Sequence, residues 1–233
     1  MYGLVLAAPE LFVAAMVCLV LLVDSFVAKG RESLGFFLVQ VALLGALLMT
    51  LVVQTGTSAS AFGGMFVLDE LAVLLKVAIF VSVMLLMFYS RQFLGEWDMD
   101  QGEYRALMLM ATLGMMVMVS GASLLTIYMG LEILSLSLYA MVAFQRDNAI
   151  ASEAAMKYFV LGAMASGMLL YGMSLLYGLT ASLNLPEIAA ALANLGEGES
   201  LVAMFALAFI LLGLGFKLGA VPFHMWTPDA YEG

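Results

Sequence analysis

Charge, cysteine and histidine are all scarce in this sequence. Of its 233 residues only 11% are charged, against about 25% in a typical soluble domain. Hydrophobic residues make up 65%, and the mean hydropathy is +1.10. A soluble fold of this size leaves much of its surface in water and cannot hide that much apolar area. The composition therefore argues for an integral membrane protein and against a soluble enzyme or a disordered chain. Basic residues are the rarer sign, with 8 Lys and Arg against 17 Asp and Glu, a net charge of −9. That balance speaks against nucleic-acid binding, which needs clustered Lys and Arg. The one cysteine, Cys18, cannot form a disulfide within the chain, and the one histidine, His224, cannot form a bis-histidine haem site. Iron–sulfur clusters and structural zinc need several Cys or His ligands. No redox cofactor can be built from this chain alone, so a part in electron transfer would be indirect.

What is present is a series of long apolar runs. They lie at residues 5–27, 34–53, 68–90, 105–121, 124–144, 152–180 and 201–221, each near the roughly 20 residues that cross a bilayer. The fourth and fifth form one stretch too long for a single span, so it is divided at Ser120-Gly121-Ala122-Ser123, where small residues permit a tight turn. The runs are continuous rather than alternating, which points to an all-α transmembrane bundle and not a β-barrel. The opening MYGLVLAAPELF has no basic n-region and carries Glu10, unlike a signal peptide. The first span is expected to be retained.

Basic residues alternate between loops. Lys29 and Arg31 lie in the first, Arg91 and Arg105 in the third and Arg146 in the fifth; the even loops have none. The positive-inside rule puts the odd loops in the cytoplasm and the N-terminus outside. Residues 91–105, with Phe93, Trp97 and Tyr104, read as an interfacial stretch, and 186–195 as a short helix in loop six. The chain ends in VPFHMWTPDAYEG, a density of motif expected inside a longer protein, so a fragment is expected.

An ionisable residue inside a span is costly and points to function. Glu132 is about eight residues from one end of its span and twelve from the other, and helical spacing puts Tyr128, Glu132, Ser135 and Tyr139 on one face. A static ion pair or a protonated, hydrogen-bonded Glu would be the plainer explanation. Lys217 lies among Gly213, Gly215 and Gly219, shortly before Pro222, which suggests an interrupted helix. Broken helices at membrane depth line cavities or transport sites; the alternative is a Lys that snorkels to the surface. Lys157 can pair with Glu153 one turn earlier, and Lys76 with Asp69 or Glu70. Glu10 and Asp24 flank the first span and read as interfacial. His224, past Pro222, titrates near neutrality when unperturbed or else holds the turn by a hydrogen bond. GAMASG at 162–167 suits close helix packing. One mid-membrane carboxylate and two deep amines can pass protons, and no other reaction class has enough groups.

The run GFKLGAVPFHMWTPDAYEG, from Gly215 to Gly233, resembles the signature of the antiporter-like membrane subunits of respiratory complex I, their N-type branch above all. GLEILSLSLYAMVAF and SEAAMKYFVLGAMASG fit the same family in order, and the resemblance covers essentially the whole chain. It implies about fourteen helices with two inverted five-helix repeats. Residues 1–103 would then hold the first three helices and a cytoplasmic interfacial loop, and 104–233 most of the first repeat. It matches Glu132, Lys157 and Lys217 to a proton relay, with His224 a weaker candidate. It implies a multi-pass subunit of the bacterial inner membrane that couples quinone reduction in partner chains to proton transfer. Its partners would be neighbouring membrane subunits and lipid. Flavin, iron–sulfur clusters and quinone would belong to other chains, and no cofactor to this one. An independent cation/proton antiporter and a non-transporting scaffold are the alternatives.

Overall fold

The computed structural model describes residues 2–26, 32–53, 58–96 and 102–232. The elements run α1 (Tyr2–Leu6), α2 (Ala8–Phe26), α3 (Glu32–Val53), β1 (Ala59–Ala61), β2 (Phe66–Leu68), α4 (Glu70–Glu96), α5 (Gly102–Val119), α6 (Leu124–Val142), α7 (Ala149–Thr180), α8 (Leu185–Leu192), α9 (Glu197–Lys217) and α10 (Thr227–Glu232). Among the described residues, α2 to α7 and α9 are the seven helices long and apolar enough to cross a membrane. In lipid no water can satisfy a free peptide group, so continuous apolar runs close their hydrogen bonds as helices. The expected turn at Ser120–Ser123 falls between Val119, where α5 ends, and Leu124, where α6 begins. The short helix expected in loop six is α8, with Pro186 in its first turn, where a missing N–H costs nothing.

One short element carries no signal in the sequence. Loop two carries an antiparallel hairpin, Ala59 opposite Leu68 and Ala61 opposite Phe66. Its turn needs positive φ at Phe62, Gly63 and Gly64, which the two glycines supply at no steric cost. Ala61, Phe66 and Leu68 turn inward against Leu6, Ala7 and Val73. Three-residue strands are too short to show a two-residue period. The stretch 91–105 is helical at both of its described ends. Residues up to Glu96 continue α4, and Gly102 onward begin α5. Tyr104 is partly buried and packs against the hydrophobic core. Lys29, Arg31 and Trp97 lie outside the described residues.

The chain divides into two compact units. Unit one comprises Met1–Gly121 and Met129–Met141, and unit two Ala122–Tyr128 and Val142–Gly233. The core of unit one gathers Val13, Val17 and Val20 of α2, Val39 and Leu43 of α3, Phe80 and Met87 of α4, and Leu109 and Met116 of α5. In it the hairpin is tied to the α5–α6 turn, where Val67 N–H donates to the Ser120 carbonyl at 2.9 Å. In unit two, Leu124 N–H donates to the Leu183 carbonyl at 2.9 Å, tying that turn to loop six.

Unit two is held by α7 and α9. Asn148 caps α7, its side-chain oxygen accepting Ile150 N–H at 3.0 Å. A Cβ placed on Gly213 would lie 2.7 Å from Leu169 Cβ and 2.8 Å from the Ala165 carbonyl. One on Gly172 would lie 2.6 Å from the Ala206 carbonyl. The two backbones approach through small residues, as association in lipid favours, and Ala165 of GAMASG is one of the contact points.

Candidate functional site: buried charges and a broken helix

Glu132 lies half-buried on α6 within unit one, on a stretch of helix pressed against α5. A Cβ on Gly130 would come within 2.6 Å of Met118 N, and one on Gly114 within 2.6 Å of Leu134 N. Backbone contact on both sides of Glu132 fixes the azimuth of the helix. Ser135 and Tyr139 of the polar stripe are buried. The Ser135 hydroxyl donates to the Leu131 carbonyl at 2.8 Å, so its proton is committed to its own helix.

Lys157, Lys217 and His224 belong to unit two. Lys157 Nζ contacts Glu153 Oε1 at 2.9 Å, the pair expected from their spacing. It also contacts Asp229 Oδ2 at 3.0 Å. That second carboxylate comes from α10, and no local pattern connects residues so far apart in sequence.

Lys217 is half-buried and is the last residue of α9. The interruption expected around it is real, but Gly213 and Gly215 do not weaken the helix; Gly213 is spent on packing against α7. The helix stops where Gly219 turns left-handed at φ 63. Leu218 N–H still donates to Leu214 at 2.9 Å, Gly219 N–H to Phe216 at 3.0 Å and Ala220 N–H to Gly215 at 2.8 Å. These close the last turn, satisfying carbonyls that a helix end otherwise leaves bare. The Trp226 indole N–H also reaches the Phe216 carbonyl, at 3.2 Å. The Trp226 ring stacks on Tyr158, centroids 4.4 Å apart and planes 8° apart. The residue after Lys157 thus braces the residue before Lys217. His224 is exposed, and its carbonyl accepts Thr227 N–H at 3.0 Å where α10 begins.

Unit one holds two charge pairs that sequence reasoning did not connect. Lys76 and Glu10 meet at 2.5 Å, with side chains 0% and 8% exposed. Neither makes a further hydrogen bond among the described residues, and the Phe66 ring lies 5.0 Å from Lys76 Nζ. The expected partners, Asp69 and Glu70, do not take this role. Asp69 instead accepts Ala72 N–H at 2.7 Å and starts α4. Glu10 is correspondingly buried, because α2 turns it toward α4. At the other end of α2, Asp24 pairs with Arg105 at 3.0 Å and accepts Gly102 N–H at 3.1 Å. Arg105 is itself buried, and a Cβ on Gly35 would sit 2.6 Å from Nη2. The one signal that could have found these pairs is complementary sign at matching depth: an acid near each end of the first span, with Lys76 and Arg105 at the corresponding ends of α4 and α5.

A polytopic helical bundle with a charged residue at a helix break is an arrangement found among membrane transport proteins. Residues 121–233 match the family described as NADH:quinone oxidoreductase/Mrp antiporter, transmembrane. The chain is 52% identical over 225 residues to NADH-quinone oxidoreductase subunit N of Thioalkalivibrio sulfidiphilus, covering 97% of this chain and 47% of that protein. It is 50% identical over 227 residues to the subunit N of Nitrosomonas europaea, with the same coverage. Among solved structures it is similar to a chain of respiratory complex I from Thermus thermophilus with bound aureothin, at 31% identity and a TM-score of 0.76 over 97% of this chain and 47% of that one. It is also similar to a chain of an archaeal respiratory complex, the membrane-bound sulfane sulfur reductase, at 25% identity and a TM-score of 0.79 over 99% and 47%. The chain is thus similar along nearly its whole length to these subunit N proteins, and spans about half the length of the curated relatives it matches.

Proposed function

We propose that this chain takes part in proton translocation, within an antiporter-like subunit of a bacterial NADH-quinone oxidoreductase. Redox energy released in partner chains would be converted here into proton movement across the inner membrane. The observation that carries the reading is the position of Lys217: a titratable amine on the last helical residue before a break, in the region that matches the antiporter family. Lys157 would pass protons toward it, and Glu132 would stabilise whichever amine it faces in its charged form, since an opposite charge nearby favours ionisation. His224, exposed past the break, is where such a route would meet solvent. Residues 1–103 would brace the translocating part, 104–233. Quinone, flavin and iron–sulfur chemistry would stay with partner subunits.

Glu132→Gln tests this in the assembled complex with the full-length chain. Gln keeps the shape and removes the charge, so proton pumping is expected to fall severalfold with assembly intact. Pumping at the unmodified level in an assembled variant would remove Glu132 from the relay.

The same reading sets the orientation. The N-terminus would face the periplasm, with the even loops beside it. A reporter inserted near residue 57 should behave as external and one near residue 98 as cytoplasmic; the opposite pattern would invert the assignment of sides.

A further inference from the structure

Asp229 lies in the terminal run that the sequence singles out, yet the relay described above gives it no part. The structure brings it to Lys157. The ammonium of Lys157 is held between two carboxylates, Glu153 one turn earlier on α7 and Asp229 on α10. The two differ in what they are attached to. Glu153 rides on the same helix as Lys157 and keeps its distance whatever else moves. Asp229 is carried by the segment beyond the break after Lys217. That segment is short, and it is fastened back on the helix end by the Trp226 indole bond to Phe216 and on α7 by the Tyr158 stack.

We propose that Asp229 is a positioning residue of the relay, a second carboxylate that couples the charge on Lys157 to the conformation of the break at Lys217. With α10 seated, Lys157 has two carboxylates within 3.0 Å. When the break rearranges and carries α10 away, Lys157 keeps Glu153 alone and faces one anion in place of two. The inference rests on the relay reading and adds to it the link by which two lysines on different helices exchange information.

The chemistry separates this from a simple tie. Asparagine has the size and shape of aspartate, so loss of the Asp229 charge should leave the subunit folded. An amide can still accept a hydrogen bond from the ammonium, so Asp229→Asn preserves the tie and removes only the charge.

The test uses the assembled complex with the full-length chain, and compares Asp229→Asn, Asp229→Glu and Lys157→Gln for assembly, quinone reductase activity and protons moved per electron. Expected are normal assembly of Asp229→Asn, a ratio of protons to electrons lowered about twofold or more because an opposite charge beside the lysine is lost, and recovery of most of that ratio in Asp229→Glu. An Asp229→Asn variant with an unchanged ratio overturns the inference if Lys157→Gln is impaired. If Lys157→Gln is also normal, the relay reading itself has failed. A lowered ratio that Asp229→Glu does not recover would show that the site needs the Asp shape and not its charge, and overturns it as well. Failure of Asp229→Asn to assemble would make Asp229 a folding residue and equally overturn it.

Discussion

Lys76→Met alone is expected to prevent assembly of the subunit, while Glu10→Leu combined with Lys76→Met restores most of it. The pair sits in unit one with essentially no exposure. Removing the ammonium leaves the Glu10 carboxylate buried with no other hydrogen-bond donor among the described residues. Breaking a buried pair in this way costs about 3–5 kcal/mol, a large share of the about 5–15 kcal/mol that holds a typical protein folded. Replacing both members by apolar groups removes the desolvation cost of two ions, and is often neutral or stabilising by about 1–4 kcal/mol. Met and Leu are close in volume to the residues they replace, and the neighbours of the pair include the Phe66 ring. Native gels of membranes and thermal melts of the solubilised complex would read the result. Normal assembly of Lys76→Met would show that Glu10 finds another partner. A double variant as defective as the single would show that the pair is needed as a pair of charges, which packing alone cannot replace.

That pair also marks how far the sequence can be read. The seven spans, the turn at Ser120–Ser123 and the helix after Asn184 were legible because hydropathy in lipid reports directly on backbone need: an apolar run of span length has one stable form. The Lys157–Glu153 contact was legible because it lies within one helix turn. The Glu10–Lys76, Asp24–Arg105 and Lys157–Asp229 contacts were not, because each joins helices whose relative rotation the sequence does not encode locally. Nearness in sequence misled for Lys76: Asp69 is one of the nearest acids along the chain, but its carboxylate is spent on the first turn of α4. The glycines around Lys217 were read as one feature and are two. Gly213 lets α9 approach α7, and Gly219 ends the helix through a backbone angle that residues with a side chain rarely adopt. Short strands such as Ala59–Ala61 fall below the length at which a period can be seen.

Lys217→Arg is the substitution that separates a proton carrier from a fixed charge, and it is expected to fail in pumping nearly as badly as Lys217→Ala. The structure supplies a strong case for the fixed charge. Lys217 is the last residue of α9, where the helix dipole favours a cation. An arginine there would meet that role as well as lysine does. Arginine also stays protonated in proteins, whereas lysine can give up its proton when its surroundings change. Lys217→Ala alone cannot discriminate, because it removes the helix-end charge and the titratable group together. Lys217→Arg removes only the second. General acid–base transfers typically contribute a hundredfold or more to the step they serve, so pumping on the order of tenfold below the unmodified level is expected of an assembled Lys217→Arg variant. The local packing needs a control, since Trp226 and the Gly219 turn close around the end of α9. Normal assembly and a normal melting temperature of the complex would show that the larger guanidinium is accommodated. An assembled Lys217→Arg variant that pumps at the unmodified level would make Lys217 a helix-end charge, and would move the search for the carrier to Lys157 and its two carboxylates.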